Sequence, residues 1–305
     1  MGHIMKTVLF TLFLLPTFHI AAYANESHSF DDEYRMRTGQ SQVETLRALM
    51  RAPFPIEFAM PKSEPGDHPG SDAEFIRGEY DMLHDLYGGN YSAAIEKLLA
   101  LEIAHPGKRG TAAHLSTAYE LAGDNRIALQ WFSKGIKRNE SSNYGSEWLH
   151  KKILEAKIAM EGDPDYLKNS HILPFDESTV WHTDDSAYRL IEALHDQLGK
   201  RMLFVKPTDP VVADLLYSFA MLEANTQTFG SAAELLQLAQ EYGYHDAAGL
   251  EEKLASYRKT LWAQRLRQWA TITFGVAALC IFFIPLYFAA RFVVRRLEPI
   301  LNPTE

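Results

Sequence analysis

Two stretches of this chain match each other at an offset of 34 residues. Gly89-Asn90 aligns with Gly123-Asp124, Ala94-Ile95 with Ala128-Leu129, Leu98 with Phe132, and Leu101 with Gly135. A repeat of this length limits the fold more than composition does. One helical hairpin cannot bury its apolar face alone, so hairpins must stack into an elongated array. Small residues at some of these positions let the two helices of a hairpin approach closely. Large ones fill the gap to the next hairpin.

The second unit, counted from Arg109, places Leu115 and Ser116 as a large and small pair on its first helix. Tyr119 is its aromatic site, Gly123-Asp124 its turn, and Ala128, Phe132 and Gly135 the packing sites of its second helix. In this register the segment from about 73 to 243 resembles the tetratricopeptide repeat (TPR) family, most clearly over 89–137 and 229–243. The resemblance implies an all-α fold: a TPR-like helical-hairpin superhelix, right-handed, with an inner groove that takes a peptide or helix from a partner. Carried over by register, the groove exposes Ala113, Thr117, Glu120 and Leu121 from the second unit. The fourth unit adds Asp214, Tyr217, Met221 and Asn225. Some members of the family hold acidic C-terminal peptides with a Lys and Asn clamp. The equivalent positions here are Glu79, Leu83, Ala113 and Thr117, so the expected groove is mixed apolar and acidic and suits an amphipathic or basic segment.

The periodicity predicts further helices. Ser41 and Glu44 form a capping box for a short helix carrying Val43, Leu46, Leu49 and Met50, which Pro53 stops. Residues 53–70 hold five prolines and read as a linker or strap. A first helix spans about 73–87, and another about 144–160 is followed by a short or absent partner and a loop over 170–184. A helix from about 186 to 204 precedes one over 210–225, which Asp209-Pro210 starts as N-cap and first-turn proline. Residues 229–243 complete a fourth hairpin, with Ala232, Leu236 and Ala239 at the spacing of Ala94, Leu98 and Leu101.

The two ends carry membrane signals. Residues 5–24 have a basic start, an apolar core and the small-x-small sequence Ala22-Tyr23-Ala24, the pattern of a cleaved signal peptide. Ala270 to Ala290 is an uncharged apolar run of membrane-spanning length, with Trp269 at one edge and Arg291, Arg295 and Arg296 at the other. The expected layout is a signal peptide over 1–24 and a capping helix with linker over 25–72. The repeat domain follows over 73–264, a juxtamembrane and transmembrane helix over 265–290, and a cytoplasmic tail over 291–305. A final helix from about Gly249 is expected to run into the membrane segment. This places the repeats in a bacterial periplasm, anchored to the inner membrane.

The net charge of −9 argues against nucleic acid, whose phosphates need clustered Lys and Arg. The single cysteine, Cys280, lies in the membrane segment, so the exported part is held by packing alone. No H-E-x-x-H, G-x-S-x-G, P-loop or dinucleotide fingerprint occurs. Ser256 to Lys259 has S-x-x-K spacing without companion motifs. His171, His182, Asp184 and Asp185 share one loop and read as polar loop residues and caps rather than metal ligands. No enzyme activity, cofactor or metal is therefore expected. The expected partner is another envelope protein or peptide, with the membrane engaged through residues 270–290. One alternative is a cell-wall ligand-binding module or enzyme on a helical solenoid, using Tyr144, Trp148, Tyr166 and Trp181 beside Glu147 or Asp184. Another is a structural membrane subunit assembling through Gly275, Ala277 and Ala278 of its transmembrane helix.

Overall fold

The computed structural model describes residues 42–53, 71–138, 145–173, 185–225 and 228–301. The leader, the strap over 54–70, Tyr144, and the loop holding Trp181, His182 and Asp184 lie outside the described residues. Every regular element among the described residues is a helix. The elements are α1 (Gln42–Arg51), α2 (Ser71–Tyr87), α3 (Tyr91–Ala104), α4 (Arg109–Leu121) and α5 (Asn125–Arg138). There follow α6 (Glu147–Gly162), the single turn α7 (Tyr166–Asn169), α8 (Asp185–Phe204), α9 (Pro210–Asn225), α10 (Phe229–Glu241) and α11 (Ala247–Leu301). The chain divides into two compact units, Met1–Leu250 and Glu251–Glu305.

In the first unit α2–α3, α4–α5 and α9–α10 pack as hairpins. The 34-residue offset recurs in the element boundaries: α2 and α4 end at Tyr87 and Leu121, α3 and α5 begin at Tyr91 and Asn125 and end at Ala104 and Arg138. The two hairpin turns are alike in detail. Gly89 and Gly123 adopt φ 79° and 92°, the left-handed region where a Cβ is strained. In each, the glycine N–H bonds the carbonyl three residues back, Leu86 or Glu120. The next N–H bonds five residues back, to Asp85 or Tyr119. These pairs satisfy carbonyls that a helix end would otherwise leave open.

Packing follows the predicted pattern of small and large residues. Ala94 and Ala128 are fully buried between paired helices, and Gly135 sits against Ala112. Leu115 is fully buried, and the buried Ser116 hydroxyl donates to the Ala128 carbonyl at 3.0 Å across the hairpin. Phe132 meets His150 of α6 edge-on at 5.2 Å, bridging to the next helix. The α2–α4 core gathers Met82, Leu86, Leu98, Leu115 and Ala118. In α2 the close approach is made by Gly78, where a Cβ would meet the Leu101 side chain.

The third unit lacks a second helix among the described residues; α7 is one turn long, and α6 ends at Gly162 before Asp163 and Pro164. The chain instead continues into α8, α9 and α10, and α1 packs on α8 and α10. Helix α9 is buried on nearly every side, with Val212, Leu215, Leu216, Phe219 and Leu222 covered along with the polar Asp214, Ser218 and Glu223. That marks it as the centre of this half of the unit. Asp209 Oδ1 accepts the Val212 N–H at 2.7 Å, the N-cap geometry its sequence implies. Lys206 Nζ donates to the carbonyls of Leu49 and Met202 at 2.8 and 2.9 Å, joining the ends of α1 and α8.

The second unit is the helical stretch from Glu251. Its residues from Trp269 to Phe288 present large exposed side chains on all sides. One helix among the described residues is long and apolar enough to cross a membrane, and this is it.

Candidate functional site

The groove positions carried by the repeat register divide sharply when placed in the structure. Ala113 and Asn225 are exposed, and Thr117, Leu121, Tyr217 and Met221 are half-buried. Glu120 and Asp214 are buried and face inward to other parts of the chain. Their sequence positions are those of groove residues, but both are held by the protein itself.

Glu120, 5% exposed on α4, is surrounded by three cationic or proton-donating side chains. Arg201 of α8 grips it with both terminal nitrogens, Nη1 to Oε1 and Nη2 to Oε2, the latter at 3.2 Å. Lys157 Nζ donates to Oε1 at 3.1 Å, and His150 Nε2 donates to Oε2 at 2.9 Å. Burial alone would raise this carboxyl; Arg201, the His150 hydrogen bond and Lys157 outweigh it and hold the group well below the usual carboxylate range. The acidic groove expected at this position is therefore neutralised from within. A basic partner segment finds no free carboxylate at Glu120.

The reason is α8. Its Asp196 and Gln197 bond the Ser146 hydroxyl at the start of α6. One turn on, Arg201 takes Glu120 of α4. Phe204 then packs on Tyr87 at the end of α2, with ring centroids 5.1 Å apart. Helix α8 thus touches α6, α4 and α2 in turn and covers Glu120, one of the positions at which a partner was expected. Burial beneath it pushes the Tyr87 phenol up to about 12. His150 and Lys157 lie seven residues apart, two turns on one face of α6, a spacing legible in sequence. Arg201 is 81 residues from Glu120 and has no local signal.

The second cluster lies around α9. Asp214 Oδ1 accepts from His171 Nδ1 at 2.6 Å, and Oδ2 accepts the Ile172 N–H at 2.9 Å. The carboxylate accepts only, so His171 carries its proton on Nδ1, leaving Nε2 as the second ring nitrogen. His171 stacks on Tyr217 at 5.7 Å, and Tyr217 stacks on Tyr244 at 4.3 Å and 9°. His245 leans on Tyr244 at 4.6 Å. The Asp214 hydrogen bond raises the His171 pKa against the opposing effect of burial. Burial first, then neighbouring charge, raises the Tyr244 phenol as well. The result is a half-buried aromatic column with the half-exposed His171 imidazole at one end and the exposed His245 at the other. His171 was expected to be a polar loop residue; it does lie in the loop after α7, and there it anchors that segment to α9.

Other expected features are less concentrated. No group of metal-ligating side chains occurs among the described residues. Trp148 is exposed, while Glu147 is paired with Arg109 at 3.0 Å. Of the clamp-equivalent residues, Leu83 is buried in the core. The Glu79 carboxyl is raised by burial, with Lys108 opposing. A shallow depression between α5 and α6 is lined by Arg126, Lys134 and Lys137 around Leu129 and Ile158. Comparison of the chain with protein-family models, curated proteins and solved structures yields no match.

Proposed function

We propose that the chain is a membrane-anchored helical-repeat scaffold of the bacterial envelope that binds another envelope protein through its repeat domain. The observation that carries this reading is the 34-residue recurrence of helix ends and turn geometry in α2–α3 and α4–α5. Stacked hairpins of that period present long surfaces and are used chiefly for protein binding. The leader and the apolar part of α11 support placing the repeats in the periplasm and the anchor in the inner membrane. Tethering confines the domain to a thin layer at the membrane and raises its effective concentration toward membrane-bound partners. Because α8 covers part of the inner surface, the docking area is assigned to Ala113, Thr117 and Leu121 on α4 and to Tyr217, Met221 and Asn225 on α9.

The test is co-purification from detergent-solubilised native membranes. Wild type is compared with Ala113→Arg combined with Asn225→Arg, two exposed positions whose change leaves the core intact. Retention of one envelope protein by wild type and its loss from the variant supports the reading. Equal retention moves the site off this surface. Retention of nothing by either protein rejects the scaffold.

A further inference from the structure

Between Lys253 and Leu297 the chain contains no acidic residue. Within that stretch, immediately before the apolar run, stand Arg258, Lys259, Arg265 and Arg267. Arg258 reaches back to Glu251 at 3.7 Å; Lys259, Arg265 and Arg267 lie exposed along the helix, past Glu252, the last carboxylate before the apolar run. Interleaved with them are three large apolar side chains, Trp262, Leu266 and Trp269, which are 66%, 54% and 68% exposed. Positions 262, 266 and 269 follow the i, i+4, i+7 spacing that aligns side chains on one helix face. This is an exposed aromatic stripe flanked by unneutralised cations, directly continuous with a candidate membrane span.

Helix geometry sets the depth. The 21 residues from Ala270 to Ala290 rise about 31 Å at 1.5 Å each, which matches a hydrocarbon core of about 30 Å. Trp269 then sits at the boundary, and Arg267 and Arg265 stand about 5–8 Å outside it, at the level of the headgroups. Lys259 lies about two turns farther out, still close enough to sense a charged surface. Tryptophan favours this interface, because its ring is apolar and its N–H finds polar partners there.

We propose that the helix over residues 258–269 is a binding site for anionic phospholipid headgroups, with Arg265 and Arg267 each pairing with a phosphate on its own side of the helix, Trp269 seated at the edge of the acyl chains, and Leu266 and Trp262 lying farther out in the headgroup layer. The inference rests on α11 spanning the membrane and extends it. The segment anchors the chain and also selects negatively charged lipid around the domain-side end of the span. Arginine suits this role because its planar fork pairs with two phosphate oxygens at once.

The test is native mass spectrometry of the full-length protein in neutral detergent with equimolar phosphatidylglycerol and phosphatidylcholine. At about fivefold per cation near the surface, the two arginines give phosphatidylglycerol roughly a twentyfold advantage in bound adducts. Arg265→Gln with Arg267→Gln is expected to remove most of that preference, while Arg291→Gln with Arg295→Gln, at the opposite end of the span, leaves it. Equal binding of the two lipids by wild type overturns the proposal. So does a preference that survives loss of Arg265 and Arg267, or one that depends on Arg291 and Arg295. A carbonate wash of native membranes separates this failure from that of the anchor: release of the wild-type chain rejects the span itself, and retention without lipid preference rejects the headgroup site alone.

Discussion

Glu120→Gln keeps the shape of the side chain and removes its charge, leaving Arg201, Lys157 and His150 around a neutral amide. Arg201 is 10% exposed, and its Nε is buried without a partner among the described residues, so Glu120 supplies the countercharge it needs. Lys157 is 23% exposed and more easily rehydrated. Removing one partner of a buried pair costs about 3–5 kcal/mol, because the other charge stays desolvated. For a unit of this size each kcal/mol lowers the melting temperature by about 2–4 °C, so the expected drop is about 10 °C. Thermal unfolding of the full-length protein in neutral detergent, followed by far-ultraviolet circular dichroism, measures it. The double variant Glu120→Gln, Arg201→Gln removes both buried charges and is expected to be more stable than Glu120→Gln alone. The coupling of the two sites is then at least about 1 kcal/mol. A loss below about 1 kcal/mol for Glu120→Gln, or strict additivity of the pair, would refute the role given to α8 as the cover over Glu120.

Three further outcomes are expected. The Asp214 bond raises the His171 pKa, so its contribution to stability is complete below the ordinary histidine pKa of about 6.5 and fades as pH rises through the folded value. The difference in urea midpoint between wild type and His171→Gln should therefore be largest near pH 6 and shrink toward pH 9; a difference that is flat with pH refutes the ion pair. Gly199 lies within α8 with open space where a Cβ would stand, and Gly199→Ala should stabilise by about 0.5–1 kcal/mol. Gly123→Ala, at φ 92°, should destabilise by about 1 kcal/mol or more in the same urea titration; the opposite order would contradict the assigned turn.

The candidate site was legible in sequence only where the relevant chemistry is local. Asp209 announced a helix start because its carboxylate bonds an N–H three residues on. Gly89 and Gly123 announced turns because a left-handed backbone disfavours a Cβ. Register also identified Glu120 and Asp214 as polar positions on α4 and α9. It could not tell that both are spent inside the protein, since a carboxylate reads the same whether it faces water or an arginine. His171, read as a loop residue, is fixed by Asp214 at a separation of 43 residues.

The helical class, the 34-residue period, the hairpin turns and the apolar span follow from spacings of a few residues, set by the pitch of the helix and the steric limits of its turns. The path of α8 across α6, α4 and α2 has no such local origin. It depends on Arg201 meeting Glu120 across 81 residues and on Phe204 meeting Tyr87, contacts that exist only once the hairpins have stacked. Repeat spacing specifies a surface; tertiary packing decided that part of this surface is covered by the chain itself, because burying the apolar face of α8 there also brings its arginine to a carboxylate that would otherwise be buried alone.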